Sequence, residues 1–141
     1  MRILDTVIYT EKLGDVRAFY EKHFLFPTAT LSASTFGILP FAEGKITFVE
    51  AASIGEMPSQ GVLLRLGTAF VQLERARLVA AGVQCGELTV EDWGAFYGQA
   101  VRYFTLTDPS GTRIQFFEDH YGEARQIITI GDGTGTRNVQ R

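Results

Sequence analysis

The chain has 141 residues, 45% of them hydrophobic and 21% charged, with 11 phenylalanines and 5 tyrosines. This length and composition are typical of one globular domain with its own core. The net charge of −3 and the lack of a basic tract argue against nucleic acid or an anionic membrane surface as a partner.

Cysteine and histidine usage excludes two further classes of protein. Cys85 is the single cysteine, so no internal disulfide can form, and with two histidines the chain cannot build a Cys/His zinc cluster. We find no signal-peptide pattern and no apolar run near the roughly 20 residues that span a bilayer. These observations predict a cytoplasmic protein with no membrane partner.

The first half of the chain predicts one helix among four strands. Residues 3–10 are rich in β-branched side chains and predict a strand. A helix follows, because apolar and aromatic side chains recur at helical spacing: Val16, Phe19, Tyr20 and His23. Three short extended runs come next, at residues 28–33, 35–41 and 45–51.

The second half predicts the same order of elements. A strand at residues 61–67 precedes a helix within residues 68–82. That helix carries an apolar stripe, the pattern of a helix packed on a core: Ala69, Leu73, Ala76 and Ala80. Extended runs follow at residues 83–90, 99–107 and 112–118, and the Asp-Pro-Ser-Gly segment at 108–111 predicts a type I turn between the last two.

The repeated order predicts a single α+β domain over residues 1–120, built from two βαβββ modules at about 1–53 and 60–119. Neither module alone could cover both faces of its sheet, so we expect a curved mixed sheet that forms a cup, with the helices outside. Residues 121–141 are a C-terminal tail, in which 126–130 could add an edge strand and the residues after it, 131–141, are expected to be flexible.

Three segments carry a resemblance to a known family. Residues 19–26 read FYEKHFLF, residues 80–83 read AAGV, and residues 108–118 read DPSGTRIQFFE. With the repeated element order, they resemble the vicinal oxygen chelate superfamily, which includes glyoxalase I, the bleomycin and fosfomycin resistance proteins and ring-cleaving dioxygenases. The resemblance covers about residues 3–119 and implies a homodimer and a ligand site in the cup.

The resemblance also implies where a metal would bind. Enzymes of this superfamily hold a divalent metal with His and Glu ligands from the first and last strand of each module. The matching positions here are Asp5, Thr47, Leu63 and Gln115. Only Asp5 is a strong ligand for such a metal. Strand alternation turns Glu118 to the face opposite Gln115, so we expect no metal of the family type.

Strand alternation predicts the lining of the cup as well. If Thr107 pairs with Thr112, one face of the last hairpin carries Arg102, Phe104, Leu106, Arg113, Gln115 and Phe117. Arg65, Arg102 and Arg113 are then candidates to clamp a carboxylate or phosphate, unless they pair with nearby acids. The predicted ligand-binding residues are Asp5, Tyr9, Arg65, Tyr97, Arg102, Phe104, Gln115 and Phe117.

Three functions fit these observations. The first is a metal-free protein that binds a small aromatic or anionic compound in the cup, as the bleomycin-resistance branch does. The second is a lyase, isomerase or dioxygenase that keeps Ni, Zn, Mn or Fe, with Asp5 and Gln115 as surviving ligands. The third is a regulatory or interaction module with no ligand. We favour the first, and whether the protein is an enzyme stays open.

Overall fold

The computed structural model describes residues 1, 4–24, 27–38, 45–92 and 100–119. Within them the chain forms eight strands, two α-helices and a short 3-10 helix at Ala51–Ile54. The strands are β1 (Thr6–Thr10), β2 (Thr28–Ser32), β3 (Thr35–Ile38), β4 (Ile46–Glu50), β5 (Leu63–Thr68), β6 (Thr89–Asp92), β7 (Ala100–Thr107) and β8 (Arg113–Glu118). The helices are α1 (Leu13–His23) and α2 (Val71–Ala80).

These elements make two four-stranded sheets, ordered β1-β4-β3-β2 and β5-β8-β7-β6. The predicted βαβββ order and the α+β fold class are therefore confirmed. Two compact units divide the described chain: residues 1–62 with 107–113, and residues 63–106 with 114–119. No helix of the described residues is both long enough and apolar enough to span a bilayer.

In both sheets the first strand pairs with the last. β1 runs parallel to β4, with Val7 beside Thr47. In the second sheet, two backbone bonds, from Arg113 to Val62 and from Asp119 to Thr68, keep the same spacing of 51 residues (113 − 62 and 119 − 68). A constant offset means that β5 and β8 also run parallel. Each sheet therefore joins two neighbouring strands that are distant in sequence.

The core of the first unit is aromatic. Phe36 and Phe48 stack with ring centroids 5.1 Å apart, and Tyr20 of α1 packs on Phe48 at 5.3 Å. Ile8 of β1 and Val16 of α1 are also buried. The predicted helix spacing is confirmed here, because Val16 and Tyr20 are the fully buried residues of α1.

The apolar stripe predicted for α2 does not face the core. The buried residues of this helix are Val71 and Leu78, whereas the side chain of Leu73 is 67% exposed. Because an α-helix turns by about 100° per residue, Leu78 lies roughly 140° around the helix from Leu73. Glu74 and Arg75 are half-buried on the inner side, so polar residues share it with the two core residues. The prediction was wrong because three of the four residues in the predicted stripe are alanines, which occur on exposed as well as on packed sides of helices.

Candidate functional site

The first sheet brings Asp5 and Thr47 together. The Thr47 hydroxyl donates a hydrogen bond of 2.7 Å to the Asp5 carboxylate, and the Lys45 ammonium lies 4.0 Å from the same oxygen. We call this side of the sheet the Asp5 face; it also carries Val7 and Tyr9, which pair with Thr47 and Val49. The opposite side carries the buried Ile8 and Phe48. Asp5 and Tyr9 therefore lie on the same side of β1, as residues at even spacing along a strand do.

The second sheet brings Arg65, Gln115 and Phe117 together. The Arg65 Nε donates a 2.7 Å hydrogen bond to the Gln115 side-chain oxygen, and the Arg65 guanidinium lies 4.9 Å from the centroid of the Phe117 ring. We call this side of the second sheet the Gln115 face. It also carries Tyr103, whose ring stacks on Phe117 at 6.4 Å and whose hydroxyl donates to Glu91.

The last hairpin has a different register from the predicted one. The rings of Phe104 and Phe116 stack at 5.0 Å, and Tyr103 stacks on Phe117. Asp108 therefore pairs with Thr112, and the backbone N–H of Asp108 donates to the Thr112 carbonyl. The loop holds three residues and ends at Gly111, which has φ +92°. Glycine at a left-handed position is typical of three-residue hairpin loops, and it shifts the pairing by one residue.

This shift corrects two of the predicted site residues. Arg102 and Phe104 do not share a face with Gln115, because a register change of one residue turns every side chain of a strand to the other side. The Arg102 guanidinium instead donates two bonds, of 2.6 and 3.0 Å, to the carboxylate of Glu118. Glu118 is only 3% exposed and lies opposite Gln115, as predicted. A clamp of Arg65, Arg102 and Arg113 on one face is therefore excluded.

Tyr103 is the residue that the sequence analysis missed on the Gln115 face. The signal that could have revealed it is the glycine that ends the Asp-Pro-Ser-Gly segment, since a three-residue loop puts the odd-numbered residues of β7 beside Gln115 and Phe117. Tyr97, which the sequence analysis predicts as a ligand-binding residue, lies outside the described residues, as does the predicted edge strand at 126–130.

Cys85 and His23 have surroundings that suit structural roles. Burial raises the pKa of the Cys85 thiol, and the nearby Arg75 guanidinium offsets this only in part. A thiol with a raised pKa is a poor nucleophile at neutral pH. The His23 ring packs edge-on against Phe19, with centroids 5.0 Å apart, at the border of the aromatic core.

The four positions where the superfamily binds metal do not fit a divalent cation here. The Asp5 carboxylate and the Gln115 amide are the better donors, and each has a cation beside it, Lys45 and Arg65 respectively. A cation that already lies beside a donor atom repels a second cation, so Lys45 and Arg65 disfavour a metal at these two positions. Leu63 has no donor atom. Within the described part of the chain, no three His, Cys, Asp or Glu side chains are placed to hold a metal ion.

Comparison with solved structures identifies the class of fold. The chain is similar to lactoylglutathione lyase from Agrobacterium tumefaciens, with 14% identity and a TM-score of 0.64 over 83% of this chain and 92% of that one. It is also similar to a glyoxalase/bleomycin resistance protein/dioxygenase from Nocardioides, with 16% identity and a TM-score of 0.66 over 86% and 85% of the two chains. The protein therefore has the fold of the vicinal oxygen chelate superfamily, as its motifs predicted.

A third similar structure is TnmS3, an antibiotic binding protein from Streptomyces. It shares 18% identity with this chain and has a TM-score of 0.67 over 84% of this chain and 96% of that one. No family model and no curated protein matches the sequence. At these identities the likeness establishes the fold, and the predicted homodimer stays a prediction.

Proposed function

We propose that the protein binds a small aromatic or anionic compound on the Gln115 face without a divalent metal. The observation that carries this proposal is the position of Arg65, whose guanidinium is held by the Gln115 oxygen and lies over the Phe117 ring. A planar guanidinium is suited to bind a carboxylate through two parallel hydrogen bonds. A fixed charge beside the family's ligand position thus supplies what a bound metal would supply, an attraction for anions.

The residues around Arg65 favour an anion that also carries an aromatic ring. Tyr103, Phe117 and Arg65 follow one another across β7, β8 and β5 on the same face. Aromatic side chains with a few placed polar groups are the usual lining of small-molecule sites. Because Gln115 and Phe117 already orient the guanidinium, less conformational entropy would be lost when a ligand binds. An aromatic carboxylate combines both features.

The similar structures support binding and catalysis to different degrees. TnmS3 is an antibiotic binding protein, so this fold can serve to bind a small molecule. Lactoylglutathione lyase has the same fold and is an enzyme. The unsuitable ligand set at Asp5, Thr47, Leu63 and Gln115 favours the binding protein over a metal-dependent lyase, isomerase or dioxygenase.

The experiment is a titration of the full chain with a panel of benzoates and naphthoates, in buffer with a chelator, by calorimetry and thermal shift. We expect at least one carboxylate to bind and raise the Tm, since a ligand selective for the native state stabilises it. Arg65→Met should weaken that ligand at least tenfold, because a charge-assisted hydrogen bond contributes about 1.5–3 kcal/mol. Arg77→Met, on the exposed side of α2, is the matched control and should bind as the parent does.

Two results would reject the proposal. The first is a panel in which no ligand binds, or in which Arg65→Met and Arg77→Met bind equally well. The second is one tightly held metal per chain, found by elemental analysis after exposure to Ni²⁺, Mn²⁺ or Zn²⁺ and gel filtration. That second result would favour the metal-dependent enzyme instead.

A further inference from the structure

Helix α2 presents an apolar surface to solvent. Phe70, at the N-cap, is 56% exposed and Leu73 is 67% exposed. Ala76 and Ala80 continue this surface along the helix at helical spacing, and both are exposed. We call these four residues the Leu73 stripe. Single exposed apolar residues are common on proteins, whereas apolar residues grouped on one side of a helix are candidates for an interaction surface.

A pocket lies at the N-terminal end of this stripe. It has a volume of about 160 Å³ and is lined by residues 69–73 and Arg102. A cavity of about 150 Å³ is large enough for a benzene ring, so this pocket has room for an aliphatic side chain. The stripe therefore offers one recess at Phe70 and Leu73, followed by a flat alanine surface that another segment can approach closely.

The described chain ends close to this stripe. The backbone N–H of Asp119 donates to the Thr68 carbonyl at 2.9 Å, two residues before Phe70. A Cβ atom placed on Gly67 would lie 2.9 Å from the Asp119 Cβ, so the two strand ends are in close contact. The described residues thus end at Asp119, near the N-terminal end of α2, and 22 further residues, 120–141, follow in the sequence.

The C-terminal tail has the composition and the reach to cover the stripe. Its apolar side chains are concentrated at Ile127, Ile128 and Ile130. Eight extended residues from Asp119 to Ile127 reach about 26–29 Å. The ten residues of α2 measure only about 15 Å. A tethered segment has an effective concentration in the millimolar range, which favours it over a second copy of the chain.

We infer that the isoleucine segment at residues 127–130 docks on the Leu73 stripe of α2, with one isoleucine in the pocket beside Phe70. This assigns an occupant to the exposed apolar surface. It also differs from the edge strand predicted from the sequence, because the contact is with a helix surface through side chains.

Disulfide trapping in the full chain tests the inference. In a Cys85→Ser background, Leu73→Cys is combined with Ile128→Cys, and the rate of disulfide formation under a mild oxidant is measured. The matched control combines Val79→Cys with Ile128→Cys, because Val79 is 49% exposed but lies about a third of a turn away from Leu73. We expect the Leu73 pair to close within one chain at least tenfold faster than the Val79 pair.

A charge in the stripe provides the second arm of the test. Ala76→Glu should slow closure of the Leu73 pair at least fivefold, whereas Gln84→Glu, on an exposed residue beyond the helix, should leave the rate unchanged. Equal rates for the Leu73 and Val79 pairs would overturn the inference. A disulfide between two chains through Leu73, with a rate that grows with protein concentration, would also overturn it and assign the stripe to a second copy.

Discussion

Replacement of Asp108 should destabilise the protein more than any single change in the hydrogen-bond partners of its carboxylate. Asp108 is 4% exposed and accepts four hydrogen bonds. One oxygen accepts from the Tyr20 hydroxyl at 3.1 Å. The other accepts from the Ser110 backbone and hydroxyl and from the Thr112 backbone, at 2.8–3.0 Å. The carboxylate thus fixes the β7–β8 turn and anchors it to α1.

The expected magnitude follows from the donors that would lose their acceptor. Tyr20 is 1% exposed and Thr112 is 4% exposed, so water cannot easily replace the carboxylate in Asp108→Ala. Each buried donor left without a partner costs about 1–3 kcal/mol, which gives a loss of about 4 kcal/mol. Tyr20→Phe removes one donor and leaves the turn intact, so we expect a loss of only about 1.5 kcal/mol. Burial, reinforced by the Asp108 charge, raises the pKa of Tyr20 far above its usual range, so its hydroxyl remains a donor.

The assay is urea unfolding of the parent, both single variants and the double variant, followed by circular dichroism. Ser110→Ala is the control and should cost less than 1 kcal/mol, because Ser110 is partly exposed and its backbone bond remains. The double-mutant cycle should give a coupling energy of about 1–2 kcal/mol between Tyr20 and Asp108. A loss below 1 kcal/mol for Asp108→Ala, or equal losses for Asp108→Ala and Tyr20→Phe, would refute the assignment of the carboxylate as the centre of this network.

Three further predictions concern close packing and pH. Gly67→Ala should lower the free energy of unfolding by about 1–3 kcal/mol, because the new Cβ would lie 2.9 Å from the Asp119 side chain. Gly14→Ala meets nothing within 4 Å and lies in α1, so urea unfolding should show equal or greater stability. The pKa of Glu21 is lowered from its usual 4.5. The main cause is the hydrogen bond from the Thr28 hydroxyl, and the second is the hydrogen bond from Arg17. The stability from this group is therefore present above pH 4.5 and lost as the pH falls through the lower, folded pKa. Thr28→Val should raise the Glu21 pKa in an NMR titration, and an unchanged value would exclude the hydroxyl as the main cause.

The fold was predictable because the same order of secondary-structure elements is repeated along the chain. The order strand, helix and three strands occurs twice, and the periodicity of α1 identifies its buried residues Val16 and Tyr20. For α2 the same reasoning chose the wrong side, because four small or aliphatic residues aligned by chance with helical spacing. Which side of a helix is buried depends on which side packs on the sheet. For a helix with apolar residues on both sides, the sequence pattern alone does not identify that side.

The candidate site was predictable only as far as the strand register was. On β1, the chain offers no turn that could shift the alternation, and Asp5 lies beside Thr47 as expected. On β7, the face that each side chain occupies depended on whether the loop at the Asp-Pro-Ser-Gly segment contains four residues, as predicted, or three. The left-handed Gly111 decides this, and it exchanges Arg102 and Phe104 for Tyr103. The contact between Arg65 and Gln115 joins residues 50 apart and has no local signal.

The pairing of first and last strands has a consequence for how each sheet forms. β1 meets β4 across a separation of 40 residues (46 − 6), and β5 meets β8 across 50. The antiparallel neighbours β3 and β4 are much closer in sequence. Closing a long loop loses chain entropy before the distant contacts compensate for it, so parallel pairing is the slow step in such topologies. Until β1 and β5 join, the central strands β4 and β8 are exposed edges, and the rate at which those edges are covered sets how long the nascent chain is open to misassociation.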